Sequence, residues 1–149
     1  MFIEFVEQQA LLFIALAVVT AMLIYSYVGD KLAGYESVGA DEAVRLYNQD
    51  ALVLDVRTEA EYRGGFIGEA QNISSSEIAA KIGSLSSRKA DPVLVYCQSG
   101  ARSAGVAKLL VKNGFQKVYN LSGGIMTWKS AGLPTNTPRS LRKQKNEKK

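Results

Sequence analysis

Along this 149-residue chain, one long apolar block is followed by short apolar runs alternating with amphipathic stretches. Between Glu7 and Asp30 no side chain carries a charge, and the block from Ala10 to Tyr25 is apolar on every side. An all-round apolar pattern of that length predicts a helix that faces no water. Lys31 to Gly39 reads as a linker with two glycines. Asp41 to Gln49 predicts a helix whose partial apolar face is Ala43, Val44, Leu46 and Tyr47. Leu52 to Val56 predicts a buried strand with Asp55 near its C-terminal end. Glu59 to Tyr62 predicts a short helix broken at Gly64 and Gly65, and Ala70 to Ile73 a brief strand or turn. Ser76 to Leu85 has helical spacing, and Ser84 to Asp91 is polar and turn-like. Val93 to Tyr96 predicts the central buried strand. After Ser103, residues Val106, Leu109 and Leu110 recur at helical spacing, with Gly114 as the natural C-cap. Lys117 to Leu121 is the last predicted strand. Gly123 and Gly124 introduce a short helix that ends near Gly132 and is stopped by Pro134.

Strands alternating with helices imply the α/β class: a small, mostly parallel sheet flanked by helices on both faces, preceded here by one apolar helix. In such sheets the site lies beyond the strand C-termini, where both Asp55 and Cys97 fall. Cys97 is the only cysteine. It opens a tight loop, Cys97, Gln98, Ser99, Gly100, Ala101, Arg102 and Ser103, between the central strand and the next helix. Loop N–H groups and a helix N-terminus favour negative charge there, which lowers the thiol pKa toward the nucleophilic thiolate. Gly100 supplies the positive φ that a cradle of N–H groups needs. The chain contains no histidine, which excludes a Cys–His pair and any zinc site built from several Cys and His ligands. Arg102 has two readings, holding an anionic donor or bracing the loop against a carboxylate. Asp55 is expected to fix loop amides or Arg102, and Arg57 to pair with Glu61 four residues on. Gly123 and Gly124 are expected to permit close backbone approach, Trp128 to pack in the core, and Tyr96 to serve as a strand residue.

Four stretches together resemble the rhodanese (sulfurtransferase) family. Cys97-x-x-Gly100-x-Arg102-Ser103 is similar to its active-site loop. Asp55-Val56-Arg57 with Glu61-Tyr62 is similar to its strand-then-helix signature. The run from Gly65 to Ile73 resembles its Gly-His-Ile-Pro-Gly-Ala-x-Asn-Ile segment, with Phe66 for the usual His and Gly68 for the usual Pro. Gly123-Gly124 with Trp128 resembles its closing Gly-Gly-x-x-x-Trp. The resemblance runs from about Val38 to Pro134. It implies a rhodanese-like α/β fold and a cofactor-free transfer of sulfane sulfur through a persulfide on Cys97. The sulfur would pass from a donor such as thiosulfate or a persulfide to a thiol or cyanide acceptor. Gln98 to Ser103 would bind the anion, with Asp55, Arg57 and Glu61 in support. The alternatives are a non-catalytic, membrane-tethered interaction module and a cysteine phosphatase or arsenate reductase. The short loop between Cys97 and Arg102 argues against the phosphatase, whose wider cradle suits a phosphate.

The expected domains are a transmembrane anchor at 1–30, a linker at 31–37, a rhodanese-like domain at 38–134 and a disordered basic tail at 135–149. A spanning helix needs about 20 residues at about 1.5 Å each, which makes the bilayer a partner through residues 8–29. Tyr25 and Tyr27 would sit at the interface. Glu4 and Glu7 stand where a signal peptide would carry positive charge. Lys31 and Arg45 follow the block and no basic residue precedes it, so the positive-inside rule places the domain at the cytoplasmic face of a bacterial inner membrane. A lone catalytic thiol agrees with a reducing compartment. The formal net charge is +4, and Arg139, Arg142, Lys143, Lys145, Lys148 and Lys149 account for it, so a nucleic-acid-binding domain has little support. The tail is expected to remain solvated, with a weak contact to anionic lipid or an acidic partner.

Overall fold

A computed structural model describes residues 9–147, apart from the side chains at positions 26, 27, 30, 31, 144, 145 and 147. The flank containing Glu4 and Glu7, the side chains of Tyr27, Lys31 and Lys145, and residues Lys148 and Lys149 lie outside the described residues. The chain divides into two compact units, Met1–Ala33 and Gly34–Lys149.

The first unit is helix α1, Ala10–Leu32, of 23 residues. Its large apolar side chains are exposed all round, from 39% at Val28 to 83% at Leu32. The Thr20 hydroxyl, Oγ1, donates back to Leu16 O at 2.8 Å, so it is satisfied within the helix. The expected transmembrane anchor is not supported: among the described residues no helix is long and apolar enough to cross a membrane.

The second unit is a five-stranded sheet with helices packed against it. In chain order its elements are β1 (Glu36–Val38), α2 (Ala40–Asn48), β2 (Leu52–Asp55), α3 (Glu59–Arg63), β3 (Gln71–Asn72), α4 (Ile78–Lys81), a 3₁₀ helix (Ile82–Arg88), β4 (Pro92–Tyr96), α5 (Ala101–Lys112), β5 (Lys117–Leu121), α6 (Gly124–Ser130) and α7 (Pro138–Glu147). The strand order is β1-β5-β4-β2-β3, and every pair in it is parallel. β4 lies at the centre, with Leu54 opposite Val95 on one side and Asn120 opposite Val95 on the other. A parallel strand covered on both faces needs a continuous apolar run, and Val93 to Tyr96 supplies it with four buried residues. Side chains alternate between faces. Val53, Leu94, Tyr96 and Leu121 join Ala43 and Leu46 of α2 and Ile125 and Trp128 of α6 in one cluster. α5 packs over β4 and β5 and buries Val106, Ala107 and Leu110.

Three expectations need correction. The linker read over Lys31 to Gly39 contains β1, which pairs with β5 through Glu36 and Tyr119, and Tyr35 beside it is buried. The helix read over Ser76 to Leu85 is one turn of α-helix that tightens to 3₁₀ and continues to Arg88. The tail expected to be disordered from residue 135 is ordered instead. Asn136 forms an antiparallel bridge with Phe66, and α7 begins at Pro138. Thr137 and Ser140 cap it reciprocally, Thr137 N donating to Ser140 Oγ at 2.8 Å and Ser140 N to Thr137 Oγ1 at 3.2 Å. Leu141 then packs against the core cluster. A single well-placed apolar side chain with a good cap suffices where a neighbouring core offers a surface.

Candidate active site

The site grows out of β4. Cys97 follows the strand's last residue and is fully buried. Three residues on, the chain turns at Gly100, whose φ of +96° is a conformation that side-chain-bearing residues avoid. A Cβ there would also stand 3.1 Å from Gly123 N and 3.3 Å from Leu121 O. The turn aims Gly100 N at Cys97 Sγ, 3.1 Å away. Ser103, in the first turn of α5 and fully buried, sets its hydroxyl 3.4 Å from the same sulfur. Gln98 is half-buried, while Ser99, Ala101 and Arg102 are exposed.

A second turn braces the first from behind. Ile125 N donates to Cys97 O at 2.9 Å, and Met126 N to Gln98 O at 3.4 Å. This approach depends on Gly124, where a Cβ would meet Cys97 O at 2.4 Å. Burial pushes the Cys97 thiol pKa up. Hydrogen bonds from the Ser103 hydroxyl and from the backbone N–H groups of Ser103, Ser99 and Gly100 outweigh it, and the net displacement is downward.

Arg102 braces the loop. Its guanidinium forms a fork on Glu61, with Nη1 to Oε2 at 3.0 Å and Nη2 to Oε1 at 2.8 Å. Glu61 also closes a capping box with Thr58 at the start of α3, so a single carboxylate joins α3 to α5. The pairing expected between Arg57 and Glu61 does not form, because Arg57 turns inward. It is 3% exposed and forks onto the fully buried Asp55, with Nη2 to Oδ2 at 2.6 Å and Nε to Oδ1 at 3.0 Å. Arg57 Nη2 also donates to Gly65 O at 2.7 Å. Asp55 therefore reaches neither the loop amides nor Arg102, a second correction. Burial opposes the charge on Arg57, and Asp55 overcomes that and raises its pKa.

Tyr96, expected only as a strand residue, completes the network. Its hydroxyl donates to Asp55 Oδ2 at 2.8 Å and accepts from Ile67 N at 3.1 Å. Burial first, and then Asp55, pushes its phenol pKa far up, so it remains a donor at any ordinary pH. Asn72 Nδ2 donates to Asp55 O and Arg57 O. The Asp55, Arg57 and Tyr96 cluster thus locks β2, β3 and β4 to residues 65–67.

The two departures from the motif have local explanations. Phe66 is fully buried and stacks on Tyr62, with ring centroids 4.1 Å apart. Gly68 has φ +54°, out of reach of proline, and a Cβ there would lie 2.2 Å from the Tyr47 ring. The Trp128 indole N–H donates to Pro134 O at 2.8 Å from within the core. Sequence reasoning missed Asn120, which is 5% exposed and touches both Ser103 and Gly100. The available signal was its parity: it sits two residues after the buried Val118 on a strand that alternates. Among the described residues no group of three or more His, Cys, Asp or Glu is placed to hold a metal ion.

Known proteins similar to this chain point to one family. A family model described as a rhodanese-like domain matches residues 39–131. The thiosulfate sulfurtransferase GlpE of Coxiella burnetii is 38% identical over 100 residues, which cover 64% of this chain and 89% of that protein. The uncharacterized protein YibN of Escherichia coli is 34% identical over 134 residues, which cover 88% of this chain and 93% of that one. The crystal structure of a rhodanese-related protein from Thermoplasma volcanium superposes with a TM-score of 0.62 at 31% identity, covering 68% of this chain and 98% of that chain.

Proposed function

Because the chain belongs to the rhodanese-like domain family, we propose that it is a sulfurtransferase that carries sulfane sulfur on Cys97. One observation carries the reading: the chain's lone thiol directly follows the central strand, with Gly100 N at 3.1 Å and the Ser103 hydroxyl at 3.4 Å from its sulfur. These donors favour the thiolate. The thiolate attacks the outer sulfur of a donor such as thiosulfate. An Sγ–S bond forms as the donor's S–S bond breaks, and sulfite departs with the electron pair. The product is a persulfide with its charge on the outer sulfur. A thiolate or cyanide acceptor then attacks that outer sulfur and releases the Cys97 thiolate. Neither half-step requires a general acid or base. Donors placed before charge develops stabilise it without reorganisation. Thiosulfate is the first donor to test, because GlpE of Coxiella burnetii is named for it. Arg102 adds positive potential beside Cys97 while Glu61 holds it in place.

The test is mass spectrometry of the intact chain after incubation with thiosulfate. The expected result is a gain of one sulfur atom that dithiothreitol removes and that Cys97→Ser cannot acquire. Thiosulfate:cyanide transfer should fall at least about a thousandfold in Cys97→Ser with the fold retained. A wild-type chain that takes up no sulfur from thiosulfate or from a protein persulfide overturns the reading and favours the interaction module.

We propose further that α1 tethers this chemistry to a bilayer, on the cytoplasmic side where a lone thiol stays reduced. The support is the all-round exposure of its apolar side chains, among them Leu11, Leu16 and Met22. Water contact over such a surface is unfavourable and hydrocarbon contact is not.

A further inference from the structure

The structure buries four polar or charged side chains among the described residues: Asp55, Arg57, Ser103 and Asn120. The first two satisfy each other. The other two meet beneath the Cys97 loop, and the sulfur-transfer chemistry above makes no use of Asn120.

Ser103 has one hydroxyl proton and three acceptors within reach. Asn120 Oδ1 is 2.6 Å away, Gly100 O 3.1 Å and Cys97 Sγ 3.4 Å. A hydroxyl donates to one acceptor at a time. The amide of Asn120 has its own direction set, because its Nδ2 donates to Gly100 O at 3.3 Å. Flipping the amide would put two acceptor oxygens against each other there. Oδ1 therefore faces Ser103 and competes with the sulfur for its proton. Gly100 O is a poor third choice, since it already accepts from Ala104 N at 3.1 Å and from Asn120.

We propose that Asn120 is a positioning residue that acts through Ser103: its Oδ1 is the second seat of a two-position hydroxyl rotor. The rotor points at Cys97 Sγ while that sulfur carries the charge. It points at Asn120 once the charge has moved to the outer sulfur. The purpose of the rotor, though not its geometry, rests on the sulfur-transfer reading. In the balanced half-reaction, the Cys97 thiolate and thiosulfate become the Cys97 persulfide and sulfite. One S–S bond forms, one breaks, and no proton changes owner. Sγ passes from a full negative charge to a neutral divalent sulfur, and a charge-assisted hydrogen bond to it becomes a weak one. A buried hydroxyl left without a good acceptor at that moment would raise the energy of the persulfide. Asn120 Oδ1 supplies the acceptor, and attack by the sulfur acceptor turns the rotor back. Arg102 is the charged side chain that acts on Cys97, and its fork on Glu61 leaves it the same in both positions.

The test reads the thiolate directly. Cys97 is the only thiol, so the pH dependence of its alkylation by iodoacetamide in the full chain reports on it alone. Asn120→Leu removes the competing seat at similar volume. The expected result is a titration displaced to lower pH, with alkylation at pH 6 about threefold to tenfold faster, together with a lower kcat for thiosulfate at an unchanged KM. Ser103→Ala should displace the titration upward, and adding Asn120→Leu to Ser103→Ala should change nothing further. A titration in Asn120→Leu that stays put or rises overturns the proposal, as does an equal displacement with and without Ser103. If Asn120→Leu fails to fold by circular dichroism, Asn120→Asp decides. Its upward displacement must be larger with Ser103 present than in Ser103→Ala, and equal displacements overturn the rotor. Alkylation involves no sulfur transfer. A chain that takes up no sulfur therefore refutes the functional reading with the rotor intact. Persulfide formation with an unmoved titration refutes the rotor alone.

Discussion

Arg102 and Glu61 show how a single carboxylate can hold a reactive loop. Glu61 accepts from Arg102 and also from Thr58 N and Oγ1. Its pKa is held down to about 2, first by the Arg102 hydrogen bond, against burial and with help from Thr58. A carboxylate with a depressed folded pKa contributes stability that is fully present above its unfolded value, near 4.5. That contribution fades as pH falls through about 2. Both side chains are about one-third exposed, which limits the contribution to about 1 kcal/mol or less. Glu61→Gln should therefore be less stable than the wild type above pH 4.5 by at most that amount. The two urea midpoints should converge as pH approaches 2. A difference that persists at the acid end would show that Glu61 acts through packing. The buried Asp55–Arg57 pair is a separate matter. Removing one partner there leaves a charge without water, at a cost of about 3–5 kcal/mol, so Arg57→Ala should unfold the domain or nearly so.

At the level of elements, the site is two strand-to-helix turns pressed together. The β4–α5 turn presents the sulfur and its donors, and the β5–α6 turn backs it through Cys97 O and Gln98 O. Gly124 has φ +60°, and a Cβ there would strike the backbone of Cys97 and Gln98. Gly124→Ala should cost about 2 kcal/mol or more and reduce sulfur transfer, because the obstruction is backbone and the loop must yield. Gly83, in the 3₁₀ helix, has open space where its Cβ would be, and Gly83→Ala should leave both properties near the wild type. Thermal unfolding and thiosulfate:cyanide assays on the two variants check this. Equal behaviour would mean the two turns are not rigidly coupled.

For the whole molecule, the two ends of the chain make different predictions. α7 is started by its Thr137–Ser140 cap and tied to the domain by Leu141 against the core. A chain ending at Thr137 should lose about 1–2 kcal/mol of stability, the value of one partly buried leucine, with sulfur transfer per folded molecule unchanged. A truncation with no effect on the urea midpoint would mean that Leu141 contributes nothing in solution. α1 should direct fractionation. The full chain is expected to sediment with membranes, resist high salt and dissolve in detergent, because apolar burial is insensitive to ionic screening. A chain beginning at Gly34 should be free of membranes and transfer sulfur normally. Release of the full chain by salt alone would refute the tether.

Local pattern by itself determined much of this protein. The runs at 52–54 and 93–96 lie in strands because a parallel interior strand must be apolar on both faces. The lone cysteine, the loop glycine and the serine that starts a helix placed the sulfur beyond the sheet, beside amide donors. The four motifs in order led to the family. Tertiary structure decided what no window of neighbouring residues contains. β1 is three residues long and owes its existence to β5, more than eighty positions away. α7 is a helix because a core lies beneath Leu141. The carboxylate partners were exchanged relative to the sequence reading. Arg57 took Asp55 because both are carried into the interior, and Glu61 took Arg102 across 41 residues. Asn120 gained its importance in the same way, since a polar residue on a strand acquires chemistry only from what the fold sets above it, here Ser103 and a sulfur.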